Sequence, residues 1–365
     1  MKNVAVFFGG VSVEHDISVI TGVLTLNSLK RNSFIPVPVY IDGNGEWFTG
    51  EKLFDVENYK GDRLKKLKRV SLIAGNPSLF EVRKNGKLKK LCVLSCAINC
   101  LHGERGEDGS LAGLVNLCAL PLASPEMLAS SVAIDKSATK IFLKGLNVKT
   151  LPCIPVSGIA DYEKVEKELG YPVIVKPSRL GSSIGISCAR DTEELREAVR
   201  LALRYGEEAI IEPKLGDFTE INCAVYSGAK GPVVSECERP VTSGDLLSFD
   251  DKYSGGAREF PAKIPKAVSD KIKKTAIKIF HALKVKGIIR IDFFVSDGEV
   301  IVNEINTVPG SLAYYLFAKS LTEFSDILAE EIRIAEKNFA KEQTFRKKYP
   351  SAVLNIKGCK SSKRL

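Results

Sequence analysis

The chain has 365 residues, 44% apolar and 27% charged, with 29 Gly and 16 Pro; this globular mixture excludes a disordered or collagen-like protein and suits two or three domains. No run approaches the ~18 consecutive apolar residues of a membrane span. The first apolar run, residues 4–8, meets Gly9 and Gly10 too early for a signal peptide, so a cytoplasmic protein without a membrane partner is expected. The net charge of +9 sits almost wholly in residues 337–365, which hold nine Lys/Arg against Glu342 alone. That pattern reads as a solvated basic tail, and its few aromatics (Phe339, Phe345, Tyr349) give no nucleic-acid groove.

In chain order, residues 4–8 form a strand followed by two glycines, and an amphipathic helix follows over 17–29. Strands are expected at 37–41 and 93–101, and a helix at 111–117. Strand, glycine turn and helix in repetition imply a parallel sheet with ligand-binding loops at its carboxyl edge. A second block carries a helix at 137–146, a strand at 173–176 ending in Pro177, and the Gly/Ser loop 181–185. A strand at 186–189, a helix at 195–205 and a strand at 209–212 complete it. The third block has strands at 221–226 and 233–237, a polar stretch over 242–258 and a helix over 269–283. It ends in a hairpin of 288–295 with 300–305. The nine cysteines form no CxxC. Cys92, Cys96 and Cys100, with His102 nearby, would make a metal face only on a helix, and 91–101 reads as a buried strand.

Three constellations carry chemistry. Arg290 and Asp292 share one face of a strand, as do Glu304 and Asn306. With a three-residue loop (297–299) Asp292 falls opposite Glu304 and Arg290 opposite Asn306; a two-residue Asp-Gly loop puts them on opposite faces. In the first register the hard oxygen ligands suit Mg²⁺ bridging phosphates, with Arg290 neutralising negative charge. The second constellation is Lys176 before the loop to Gly185, where ammonium, hydroxyls and backbone N–H groups can surround phosphate. Residues 181–185 also spell Gly-x-Ser-x-Gly, but no helix starts there and the only later histidine, His281, lies in an amphipathic helix. The third places Glu14 at a helix start after the first strand, and a polar loop from His102 to Gly109 after another.

Taken together, GGVSVEHDIS (9–18), LHGERGEDGSLAGL (101–114), AIDKSATK (133–140), KPSRLGSSIGIS (176–187), DDKY (250–253), RIDFF (290–294) and NEINTVPG (303–310) resemble the D-alanine–D-alanine ligases of the ATP-grasp fold. The resemblance spans about residues 3 to 335. It implies an N-terminal parallel-sheet α/β domain (1–124) and the two α+β halves of an ATP-grasp (125–211 and 212–336), followed by a basic tail (337–365) expected to lie outside them. It implies ATP as co-substrate, two Mg²⁺ (or Mn²⁺), D-alanine as substrate and a homodimer. By position, Lys136 and Lys176 contact nucleotide phosphates, and Glu212, Lys214 and Leu215 form the adenine hinge. Glu220 takes the ribose, Lys252 joins the nucleotide site, and Asp292, Glu304 and Asn306 hold the metals. Glu14 holds the first D-alanine's ammonium with Ser182 and Tyr253 around it, and His102 lies nearby. Arg290 and the Gly310 N–H make the oxyanion site. The resemblance further implies that loops 177–185 and 242–258 close over the reacting groups.

The family usually places a serine five residues after that glycine to bind the second substrate's carboxylate. Here that position holds Tyr315, with Ser311 and Tyr314 as the nearby hydroxyls. Three readings follow: a D-alanyl–D-alanine ligase, a same-fold ligase with another second substrate such as D-serine, or a nucleotide-binding sensor without turnover. The intact acid, lysine and arginine sets weigh against the sensor.

Overall fold

In the computed structural model, whose described residues are 1–30, 32–61, 63–241, 258–347 and 349–351, the N-terminal apolar run is strand β1 (Lys2–Gly9). It is buried on both faces from Val4 to Phe8. Its alternation divides two cores. Val4, Val6 and Phe8 face one, Ala5 and Phe7 the other. Helix α1 (His15–Leu29) crosses to β2 (Phe34–Ile41), which pairs in parallel with β1. Asp42 then accepts backbone N–H groups from Asn44 and Glu46, closing a tight turn with no room for a crossover helix.

The chain therefore continues antiparallel through β3 (Trp47–Thr49), β4 (Lys68–Ile73), β5 (Asn76–Val82) and β6 (Leu88–Val93). Strand β7 (Cys96–Asn99) returns parallel to β1, giving the order β6-β5-β4-β3-β2-β1-β7. The expected parallel arrangement thus holds for β2-β1-β7, and the rest of the sheet is an antiparallel extension. The single strand expected over 91–101 is broken at Leu94 and Ser95, where the Ser95 N–H turns to Asn3 O at 2.8 Å. Cys92 consequently lies on a different strand from Cys96. Helix α2 (Ser110–Leu117) packs Leu111, Ala112 and Val115 against Ala5 and Phe7.

Helices α3 (Met127–Ile134) and α4 (Lys136–Gly145) lead into the central unit, Asp135 capping α4 by accepting from Ala138 N at 3.0 Å. There β8 (Ile154–Val156), α5 (Tyr162–Glu168), β9 (Val173–Pro177), β10 (Ser187–Ala189), α6 (Thr192–Ala202) and β11 (Ala209–Pro213) follow in turn. The strands make an antiparallel sheet in the order β10-β9-β11-β8.

The third unit comprises β12 (Thr219–Gly228), β13 (Gly231–Val234), β14 (Arg239–Pro240), β15 (Arg258–Glu259), α7 (Lys266–Ala282), β16 (Ile288–Ser296) and β17 (Glu299–Asn306). Its sheet runs β13-β12-β16-β17. Ile272, Ala276 and Ile279 of α7 cover one face, packing with Ile289, Ile291 and Phe293, so Arg290 and Asp292 are left for the opposite face.

The last helix, α8 (Leu321–Gln343), returns to the first unit, where Phe324, Leu328 and Ile332 join the core of Val4, Val6 and Phe8. The expected tail boundary at 337 falls inside this helix. Glu342 in its last turn pairs with Lys286 at 3.1 Å, and Lys286 also reaches Glu126 at 2.7 Å.

Candidate active site

Strands β16 and β17 join through Asp297 and Gly298, both with positive φ (49° and 75°), so the turn is the two-residue one, with Ser296 opposite Glu299. Uninterrupted, that register would pair Asp292 with Asn303 and send Glu304 to the far face. A bulge beside Asp292 absorbs Asn303 as an extra residue, so Asp292 lies opposite Glu304 and Arg290 opposite Asn306. The two carboxylates therefore converge through a bulge, where a three-residue loop was the expected cause.

Asp292 is only 2% exposed. Arg290 forks onto it, Nε to Oδ1 at 2.7 Å and Nη2 to Oδ2 at 2.8 Å, while Asn306 Nδ2 donates to Oδ2 at 3.0 Å.

The central unit brings its lysines to this hairpin. Lys176, at the end of β9, donates to the bulged Asn303 Oδ1 at 3.1 Å and pairs with Glu212 at 2.8 Å. Lys136, at the start of α4, donates to Leu180 O at 2.7 Å and lies 3.3 Å from Glu304 Oε1. Lys140, four residues on and hence on the same helix face, pairs with Glu212 at 2.5 Å and donates to Thr150 Oγ1 and Leu151 O. Burial pushes the Glu212 carboxyl up, but Lys176 and Lys140 outweigh it and hold the group below the usual carboxylate range. The Glu212 side chain is thus an interior clamp for two lysines. Lys214 donates its N–H to Pro172 O at 3.0 Å, and Leu215 follows where the chain leaves β11 for β12. Glu220 lies on β12 opposite Phe294.

A cavity of about 470 Å³ is lined by residues of the first, central and third units. Glu14, His102, Ser182, Arg290, Glu304 and Asn306 line it, as do Gly310, Ser311 and Tyr315. Glu14 stands at the start of α1 and accepts a hydrogen bond from the Ser182 hydroxyl. Gly103 (φ 73°) passes so close that a Cβ there would lie 3.1 Å from Glu14 Oε2. Burial, and then the Arg290 charge, push His102 down to about 3, so its ring is neutral. Thr21 Oγ1 accepts the Ser311 N–H at 3.0 Å and lies 3.0 Å from His102 Nε2. The Thr21 hydroxyl thus bridges the loop bearing Gly310 to the His102 ring.

Glu107 accepts Gly103 N–H and Val308 N–H at 3.0 and 3.1 Å, tying the loop after β7 to the loop that bears Gly310. Burial, with Glu14 as the next cause, pushes its carboxyl up to about 8. Ser311, Leu312 and Ala313 then adopt left-handed φ of 52°, 50° and 50°. Each such non-glycine residue costs about 1–2 kcal/mol, a strain typical of functional loops. That turn directs Tyr315 into the cavity. Tyr314, expected beside the second substrate, instead packs on Phe324 of α8 with ring centroids 5.4 Å apart and does not line the cavity. Lys252 and Tyr253 lie outside the described residues.

Sequence reasoning assigned no role to Lys140, Glu107, Thr21, Asn303, Glu238 or Arg258. Lys140, Glu107 and Asn303 stand inside motifs already quoted, and Lys140 shows the helical i, i+4 spacing from Lys136. The others become visible only through strand register and packing.

Residues 3–125 match a family model described as the D-ala D-ala ligase N-terminus, and residues 155–330 one described as the D-ala D-ala ligase C-terminus. A D-alanine–D-alanine ligase of Thermosipho melanesiensis is 38% identical over 353 residues, covering 93% of this chain and 95% of that protein. Among solved structures, the D-alanine-D-alanine ligase from Coxiella burnetii superposes with a TM-score of 0.82 at 25% identity, covering 94% of this chain and 96% of that one. The VanG D-Ala:D-Ser ligase from Enterococcus faecalis gives 0.77 at 26% identity, covering 91% and 99%.

Proposed function

Since the chain belongs to the D-alanine–D-alanine ligase family, ATP-dependent enzymes that join two D-alanines for peptidoglycan precursor synthesis, we propose how its own residues divide that work. The observation that carries the assignment is the 3.3 Å approach of Lys136 to Glu304, which joins a phosphate-binding lysine to the face lining the cavity.

Lys136 and Lys176 hold the phosphates of ATP, the 212–215 segment holds adenine through backbone groups, and Glu220 holds the ribose. Lys252 is assigned to the nucleotide by the family resemblance alone. Asp292, Glu304 and Asn306 are hard oxygen donors that fit Mg²⁺ or Mn²⁺. An ion held by these three side chains would take its remaining ligands from phosphate and water. Such ions would supply charge neutralisation for γ-phosphoryl transfer.

Glu14 receives the first D-alanine's ammonium, oriented by Ser182 and Tyr253, and His102 borders that site as a neutral ring. The first D-alanine's carboxylate oxygen attacks the γ-phosphorus, and ADP leaves. The second D-alanine's amine then attacks the acyl carbon of the resulting D-alanyl phosphate. Arg290 and the Gly310 N–H stabilise the oxyanion until inorganic phosphate departs. Arg290 is already fixed by its fork on Asp292, so little reorganisation is needed. We place the enzyme in the cytoplasm as a homodimer.

ADP release with Mg-ATP and single D-amino acids tests the reading. D-Alanine alone is expected to sustain turnover. Turnover only when D-serine is added as second acceptor would assign the product to the D-alanyl–D-serine class. Tight ATP binding without turnover for any D-amino acid would overturn the ligase assignment.

A further inference from the structure

A D-amino acid arriving as nucleophile brings a carboxylate that needs a cation once it leaves water. Among the described residues lining the cavity, the cations are Arg258 and Arg290. Arg290 is committed, with two of its nitrogens on Asp292.

Arg258 is placed differently. Its guanidinium lies 4.4 Å over the Tyr315 ring, and Nη1 lies 3.7 Å from Glu238 Oε1, within ion-pair range but too far for a hydrogen bond. Its side chain is half exposed, whereas Glu238 is buried. The strand beneath is firmly held. Pro240 on β14 pairs with Arg258 on β15, and Glu238 exchanges backbone bonds of 2.8 and 2.9 Å with Asn222 on β12. A guanidinium stacked on an aromatic face keeps its edges available for a planar, bidentate partner.

We propose that Arg258, oriented by the Tyr315 ring and held from behind by Glu238, binds the carboxylate of the second D-amino acid. Tyr315 stands five residues after Gly310, where a serine hydroxyl was expected, and it serves as the platform for the arginine that takes over the contact. The proposal rests on the ligase reading above.

The test separates the half-reactions in the full-length enzyme. D-Alanine-dependent positional isotope exchange in ATP reports formation of the acyl phosphate and needs only the first substrate. Dipeptide formation against D-alanine concentration yields the second KM. Arg258→Gln is expected to raise the second KM by about 10- to 100-fold, the size of a lost charge-assisted hydrogen bond. Exchange and the first KM stay within about two-fold. Arg258→Lys recovers part of the loss, because an ammonium neither stacks nor forks. Tyr315→Leu removes the platform and is expected to raise the second KM as well. An unmoved second KM in Arg258→Gln with exchange intact overturns the proposal, and so does loss of exchange in that variant. Absence of D-alanine-dependent exchange in the unmodified enzyme sinks the ligase reading itself.

Discussion

Arg290→Ala is expected to lower kcat for D-alanine-dependent ADP release by about 100- to 1,000-fold, the loss typical of removing one oxyanion donor. The fork on Asp292 fixes the guanidinium before any charge develops, so the stabilisation is specific to the transition state. The KM for ATP is expected to change far less than kcat. Arg290→Lys keeps a charge but loses the fork and is expected to recover only part of the rate. Steady-state kinetics with both variants check this, and a kcat within ten-fold of the unmodified enzyme would remove Arg290 from the oxyanion site.

The second large effect is on stability. Glu212 is 2% exposed and holds Lys140 at 2.5 Å and Lys176 at 2.8 Å. Glu212→Ala leaves two buried ammonium groups facing each other, and breaking a buried pair in this way costs about 3–5 kcal/mol. Urea unfolding is expected to show that loss at neutral pH, together with weaker ATP binding as Lys176 loses its partner. The folded carboxyl titrates below its ordinary range. Its contribution is therefore complete at neutral pH and is lost as pH falls through that lowered value. The gap between the two proteins should close in acid. A difference under about 1 kcal/mol at neutral pH would mean the triad is not the clamp described here.

Both cases show where sequence reading reaches and where it stops. The apolar strand at residues 4–8 and a turn at residues 296–299 are local patterns legible in the sequence, although not the length of that turn. The bulge at Asn303 is not. It places the Asn303 amide oxygen where Lys176, 127 positions away, donates to it, a contact that no local pattern announces. The same holds for Glu212, which reads as a hinge residue until the fold sets it between two lysines. The antiparallel strands over 47–93 were not expected: they are short and half exposed, so no continuous apolar run marks them, although each pairs with its neighbour in the chain. Helix α8 carries a readable apolar spacing at Phe324, Leu328 and Ile332, but its docking against β1 from the other end of the chain is not encoded in that spacing. Arg258 looked like part of a polar stretch. Only the pairing of β14 with β15 sets it above Tyr315.

The acyl-phosphate route is tested most directly with D-alanine carrying ¹⁸O in both carboxylate oxygens. If the first carboxylate attacks the γ-phosphorus, each inorganic phosphate released with a dipeptide retains one ¹⁸O, and the dipeptide has lost one. Phosphate released without label in the presence of D-alanine would contradict the account, because water rather than the carboxylate would then have attacked ATP.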